Sequence, residues 1–125
     1  MKTPFDPRHK KREEIVKRLY TFGYRKTKQV SANIKPIIEN LSPIDKMITR
    51  IAPDWPVEKL NRVDLAVLRL AIYELIIEKK NPEKVIIDEA VELAKKYGSE
   101  NSPKFINGAL GAALKKINKE KNGQS

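Results

Sequence analysis

The 125-residue chain has no cysteine, which excludes a disulfide framework and any thiolate metal site. It has one histidine, His9, set in a basic run with no second histidine to pair with. Imidazole metal ligation is therefore disfavoured, and the ring is expected to face solvent. No apolar run approaches the roughly 20 residues that span a bilayer. The first residues are polar and carry two prolines, so no signal peptide is visible and a cytoplasmic protein is expected. Glycine is sparse, at five residues, and no Gly-rich phosphate loop follows a strand. Neither a Ser/His/Asp nor a Cys/His arrangement is available. Asp88, Glu89 and Glu92 form a carboxylate group, but general acid–base work needs converging partners in a pocket. An acidic bias that complements a helix dipole is the simpler reading. An enzyme is disfavoured on these counts, and no cofactor is implied.

Charge is abundant: 34% of residues are charged against 40% apolar, with a net charge of +10. Residues 1–30 hold ten Lys/Arg and three acids, a balance of +7. Such concentrated positive charge points to a polyanion, either nucleic acid or an anionic membrane surface. A solvated basic helix kept soluble by its charge is the plain alternative.

Helical periodicity runs through the chain, whose length favours one domain over residues 1–125. Asp6-Pro7 reads as a cap followed by proline at the first helical position, and Ile15, Val16, Leu19 and Phe22 supply the stripe of a helix ending at Gly23. After a polar connector over 24–31, a second apolar pattern runs from Ile34 to Ile51. Pro36 and Pro43 fall inside it, predicting a kink or two short helices. Pro53 and Pro56 mark a turn around Trp55, and Val57–Leu60 suggests one short helical turn. Asn61 reads as a cap, with Asp64 in the capping-box position. The stretch "VDLAVLRLAIYELII" is apolar nearly all round and predicts a buried central helix. Asn81-Pro82 repeats the cap-then-proline signal for a helix closed by Gly98. Ser102-Pro103 opens the last helix, where Gly108 and Ala112 would admit a close neighbour. The tail from Lys119 is expected to fray. The fold class is all-α, a compact bundle of five to seven helices.

The residues left for function are cations and a few aromatics, Tyr20, Tyr24, Tyr97 and Phe105. Single-stranded nucleic acid is held by cations on phosphates and aromatic faces under bases. Spacing alone leaves Tyr20 and Phe105 open between core and contact.

Two stretches, "RVDLAVLRLAIYELI" and "VIIDEAVELAKKYGSENSPKFINGAL", resemble the transcription antitermination factor NusB family, as does the opening "KKREEIVKRLY". The resemblance is continuous from about Trp55 to Leu114 and weaker from Arg8 to Tyr20. It implies two helical subbundles, the N-terminal one shortened here by a missing helix. It also implies a non-enzymatic adaptor that binds boxA-type single-stranded RNA jointly with the small-subunit ribosomal protein NusE. RNA polymerase and other Nus factors join through that complex, which supports processive transcription, notably of rRNA operons; no membrane is involved. By position, Arg8, Lys11 and Arg12 are expected on RNA phosphates and Tyr20 at the RNA-facing end of the first helix. Asn101, Lys104 and Phe105 match the family's RNA-contacting junction. Glu58 and Asp64 match acidic positions assigned to the basic protein partner. Arg69 fits the family's Leu-Arg pair, as a contact or as a structural Arg paired with Glu74 or another acid. Asn101 stands where an acid is common, and Gly111 replaces a residue that is often acidic. The alternatives are a protein-binding helical scaffold without specific RNA recognition and, last, a membrane-surface helix over residues 7–22.

Overall fold

The computed structural model describes residues 6–25 and 30–123. Six α-helices follow in order: α1 (Pro7–Arg25), α2 (Lys35–Glu39), α3 (Leu41–Ile51), α4 (Arg62–Tyr73), α5 (Glu83–Tyr97) and α6 (Ser102–Lys121). A 3-10 turn, Val57–Lys59, precedes α4, and a wider π turn, Glu74–Glu78, extends it. No strand occurs among the described residues.

Local chemistry sets the boundaries. The Asp6 carboxylate accepts from the Arg8 backbone N–H at 2.9 Å, satisfying one of the orphan donors of the first turn. Proline divides the isoleucine-rich pattern into α2 and α3, with Pro36 in the tolerated first turn of α2. The Asn61 side chain caps α4, accepting from the N–H groups of Val63 and Asp64 at 2.8 and 3.3 Å. At the far end Lys79 adopts φ 56°, and its N–H closes the π turn on the Glu74 carbonyl at 2.9 Å.

Helix α4 is the axis of the bundle and packs against α1, α2, α3, α5 and α6. Its Ala66, Val67, Leu68, Leu70, Ala71 and Ile72 are all buried, as its all-round apolar sequence predicts. One core joins them to Ile15, Val16 and Leu19 of α1, Ile44 and Ile48 of α3, Leu93 of α5, and Ile106 and Leu110 of α6. Arg69 is the structural kind of arginine. Its guanidinium forks onto Asp45 of α3 at 3.1 and 2.9 Å.

Several boundaries differ from expectation. α1 continues past Gly23 to Arg25. A helical glycine costs only about 1 kcal/mol, and the Arg62 guanidinium takes up the Gly23 carbonyl at 3.2 Å. Residues 26–29 of the expected connector lie outside the described residues. Pro82, not Asn81, precedes α5 as its cap residue, because the Asn81 amide donates to Glu74 instead, at 3.3 Å. Ser102 opens α6 as expected, with Asn101 before it. Nothing lies within 4 Å of a Cβ built on Gly108, so no helix closes on that glycine. α6 stays helical to Lys121, beyond the expected fraying point.

Gly98 is the glycine the fold requires. A Cβ there would sit 2.5 Å from the Ser102 hydroxyl oxygen and 2.8 Å from the Ala94 carbonyl. Gly98→Ala is expected to destabilise the protein by about 1–3 kcal/mol through overpacking. The check is a lowered urea midpoint, with no loss from Gly23→Ala, whose added methyl meets nothing within 4 Å.

Candidate nucleic-acid interface

The basic start of α1 separates into two roles. Arg8 and Lys11 are exposed, and Arg8 lies 3.6 Å from the Asp6 carboxylate. Both flank a groove between α1, α2 and the end of α4, with Ile15, Ile37, Leu70 and Tyr73 in its lining. Arg12 is different, at 7% exposure. Its Nε and Nη2 donate to the two Glu74 carboxylate oxygens at 3.0 and 2.7 Å, and Nη1 donates to Glu89 at 3.3 Å. The hydrogen bonds to Glu74, above all, hold Arg12 protonated more firmly than usual. The expected phosphate contact is therefore not presented by Arg12, because its fork faces inward onto two buried carboxylates.

His9 also turns inward, against expectation. Its Nδ1 lies 3.2 Å from Glu89 and its Nε2 3.9 Å from Glu13. The expected carboxylate group on α5 does not converge. Glu89 is buried beside Arg12, Asp88 is exposed, and Glu92 pairs with Lys95 at 3.5 Å. Among the described residues no group of three or more His, Cys, Asp or Glu is placed to hold a metal ion.

Further along α1, Glu13 joins the helix to the end of α5. One oxygen accepts from the Lys96 ammonium and from the Tyr97 hydroxyl, each at 2.6 Å. These hydrogen bonds, Lys96 first, hold the Glu13 carboxyl below its ordinary 4.5. The contact is thus complete at neutral pH and is lost as pH falls through that lowered value. Tyr20 lies on the same flank of α1 and is 40% exposed, so it is a surface ring and not core.

The polar junction between α5 and α6 is built on Ser102. Its hydroxyl is buried and accepts from the Ser99 N–H at 2.9 Å. Asn101 and Lys104 are exposed, while Phe105 is half-buried against the core. Phe105, Trp55, Leu60, Asn61 and Asp64 line a hollow of about 290 Å³. Glu58 lies on the adjoining 3-10 turn and is exposed. Asp64 is not a surface acid as expected, since it is 7% exposed. The first turn of α4 tucks it under the junction, where burial pushes its carboxyl above the usual range and the Ser102 hydroxyl opposes that shift.

The structure thus brings Tyr20, Asn101, Lys104 and Phe105 to one end of the bundle. Arg62, which reaches Gly23 of α1, follows Asn61 in the hollow's wall. Arg8 and Lys11 lie at the other end, near Glu74 and Asn81. At about 100° per residue, Lys11 and Tyr20 also point to opposite sides of α1. Trp55, 56% exposed, is the residue that sequence reasoning missed. Its two flanking prolines mark a turn, and a lone aromatic in a turn carries no periodicity to assign it.

Fold and surface together define an all-α bundle with exposed cations and aromatic rings at its helix ends, and no metal-binding cluster among the described residues. The model of the NusB family matches residues 8–115. The chain belongs to the NusB family. The transcription antitermination protein NusB of Roseiflexus sp. (strain RS-1) is 47% identical over 87 residues, covering 68% of this chain and 61% of that protein. That of Thermotoga maritima is 56% identical over 77 residues, covering 62% of this chain and 54% of that protein. The matched region thus spans 61% or less of these relatives' own length. A solved structure of T. maritima NusB superposes with a TM-score of 0.81 at 39% identity, covering 92% of this chain and 93% of that one. A structure of the antitermination factors NusB and NusE with double-stranded RNA gives 0.72 at 25% identity, covering 88% and 98%.

Proposed function

We propose that this chain is a non-enzymatic, RNA-binding transcription antitermination adaptor acting in the cytoplasm as one helical domain. It binds boxA-type single-stranded RNA together with the ribosomal protein NusE. Through that complex it engages RNA polymerase and other Nus factors and supports processive transcription, notably of rRNA operons. The observation that carries the reading is the α5–α6 junction, where exposed Lys104 and Asn101 flank half-buried Phe105 at the rim of a hollow. A cation beside an aromatic edge suits a phosphate and its base. Family membership and the kinship to a NusB–NusE–RNA structure support it. No described helix is long and apolar enough to cross a membrane.

The reading is tested by titrating boxA and scrambled RNA, with and without NusE. Phe105→Ala is expected to weaken boxA binding roughly 5- to 150-fold, the equivalent of about 1–3 kcal/mol for one stacked base. Lys104→Ala, at the exposed cation of the junction, should flatten the log–log salt dependence by about 0.7. Helical circular dichroism should stay native in both variants. Unchanged affinity in both would remove the site assignment, and equal binding of boxA and scrambled RNA in all conditions would remove the function. Exposed Trp55 at the hollow favours a second reading, a scaffold that binds only protein, since exposed tryptophan is enriched at protein interfaces. In that case NusE would bind with the same affinity whether or not RNA is present.

A further inference from the structure

Tyr97 lies where α1, α5 and the junction meet, and two ammonium groups converge on its ring. The Nζ of Lys17 lies 5.6 Å from the ring centroid and that of Lys96 lies 5.4 Å from it. Cations at this distance from an aromatic face are attracted by its quadrupole. The ring is itself fixed, because its hydroxyl donates to Glu13, the carboxylate that also takes one donor of Lys96. An ammonium has three donors, so Lys96 keeps two for other acceptors. Lys17 has no described carboxylate within ion-pair distance. Arg18, the next residue, is engaged by Glu14 at 2.9 and 3.1 Å. Lys17 is thus a positive charge held in place by a ring and left unneutralised.

Its position gives it a use. Lys17 and Tyr20 are three residues apart on a helix and so are side-by-side neighbours on its surface. Tyr97 is the last residue of α5, immediately before the junction that carries Asn101 and Lys104. The Lys17–Tyr97–Lys96 cluster therefore adjoins Tyr20 on α1 and directly precedes the junction in the chain. We propose that Lys17 and Lys96, clasped over Tyr97, form a phosphate site for the backbone of single-stranded RNA. The site links the Tyr20 contact to the Lys104–Phe105 contact along one track. Glu13 anchors the clasp by accepting from Tyr97 and Lys96, and each ammonium keeps donors for a phosphate. The inference rests on the RNA-binding reading and adds residues to that surface.

The test is the salt dependence of binding a boxA-type RNA oligonucleotide to the full chain and to Lys17→Gln, Lys96→Gln and Lys17→Arg. Each Gln variant is expected to lower affinity roughly two- to fivefold and to reduce the log–log slope by about 0.7. Lys17→Arg should restore both. A clasp that only ties α5 to α1 would shift the thermal midpoint and leave the slope alone. An unchanged slope in both Gln variants, with the parent protein binding RNA normally, overturns the phosphate site and leaves the RNA-binding reading intact. Failure of the parent protein to bind the RNA at any salt overturns both.

Discussion

Arg12→Ala is expected to lower the free energy of unfolding by roughly 3–5 kcal/mol, the cost of removing one partner of a buried ion pair. The guanidinium is 7% exposed and bridges Glu74, after α4, to Glu89 on α5. Without it, two buried carboxylates face each other with no arginine between them. Against a total stability of about 5–15 kcal/mol, that is a third or more of the whole for most of the range. The urea midpoint should therefore fall steeply. Arg12→Lys should recover only part, because an ammonium is a point charge and cannot fork onto Glu74 while reaching Glu89. A midpoint within error of the parent protein's would refute the structural role. The substitution also bears on the proposed function, since an unfolded variant would fail to bind RNA whatever Arg12 does. Arg12→Gln, which removes the charge, separates the two roles when measured where it remains folded. With Arg12 facing inward, its RNA salt slope should equal the parent's.

What made Arg12 illegible in the sequence is the range of its contacts. Glu74 and Glu89 lie 62 and 77 residues away, so no local pattern links them. At 3.6 residues per turn Arg12 falls on the same face as Ile15, Val16 and Leu19, but its charge argues for the surface and periodicity cannot reveal a tertiary counter-ion. His9 and Asp64 were obscured in the same way, each placed by a neighbour on another helix. The elements themselves were legible because their determinants are local. Pro36 and Pro43 divide the second apolar pattern, the Asn61 side chain caps α4, and the all-apolar run of α4 lies at the centre. The junction was legible as a helix break flanked by Lys104 and Phe105, and its motif carries the family. The Lys17–Tyr97 clasp was not, because it depends on how α1 crosses α5.

Leu68→Ala should destabilise the bundle by roughly 2–5 kcal/mol. Leu68 is 0% exposed at the middle of α4, the helix that touches every other helix. Two effects compete. Alanine is the best helix former, but its advantage over leucine is at most a few tenths of a kcal/mol. Loss of the buried isobutyl group removes apolar burial and leaves a cavity, and this term is larger by about an order of magnitude. Burial therefore decides the sign. The urea slope m should be unchanged, since the surface exposed on unfolding barely alters. Trp55→Ala provides the contrast. The ring is larger, yet it is 56% exposed, and its removal is expected to cost roughly 1–2 kcal/mol, because only the covered part of its surface counts. If Leu68→Ala cost no more than Trp55→Ala, α4 would not be the axis of the core. If the expected order holds, losses of RNA or NusE binding in Trp55→Ala or Phe105→Ala can be attributed to the hollow, because the bundle beneath it stays folded.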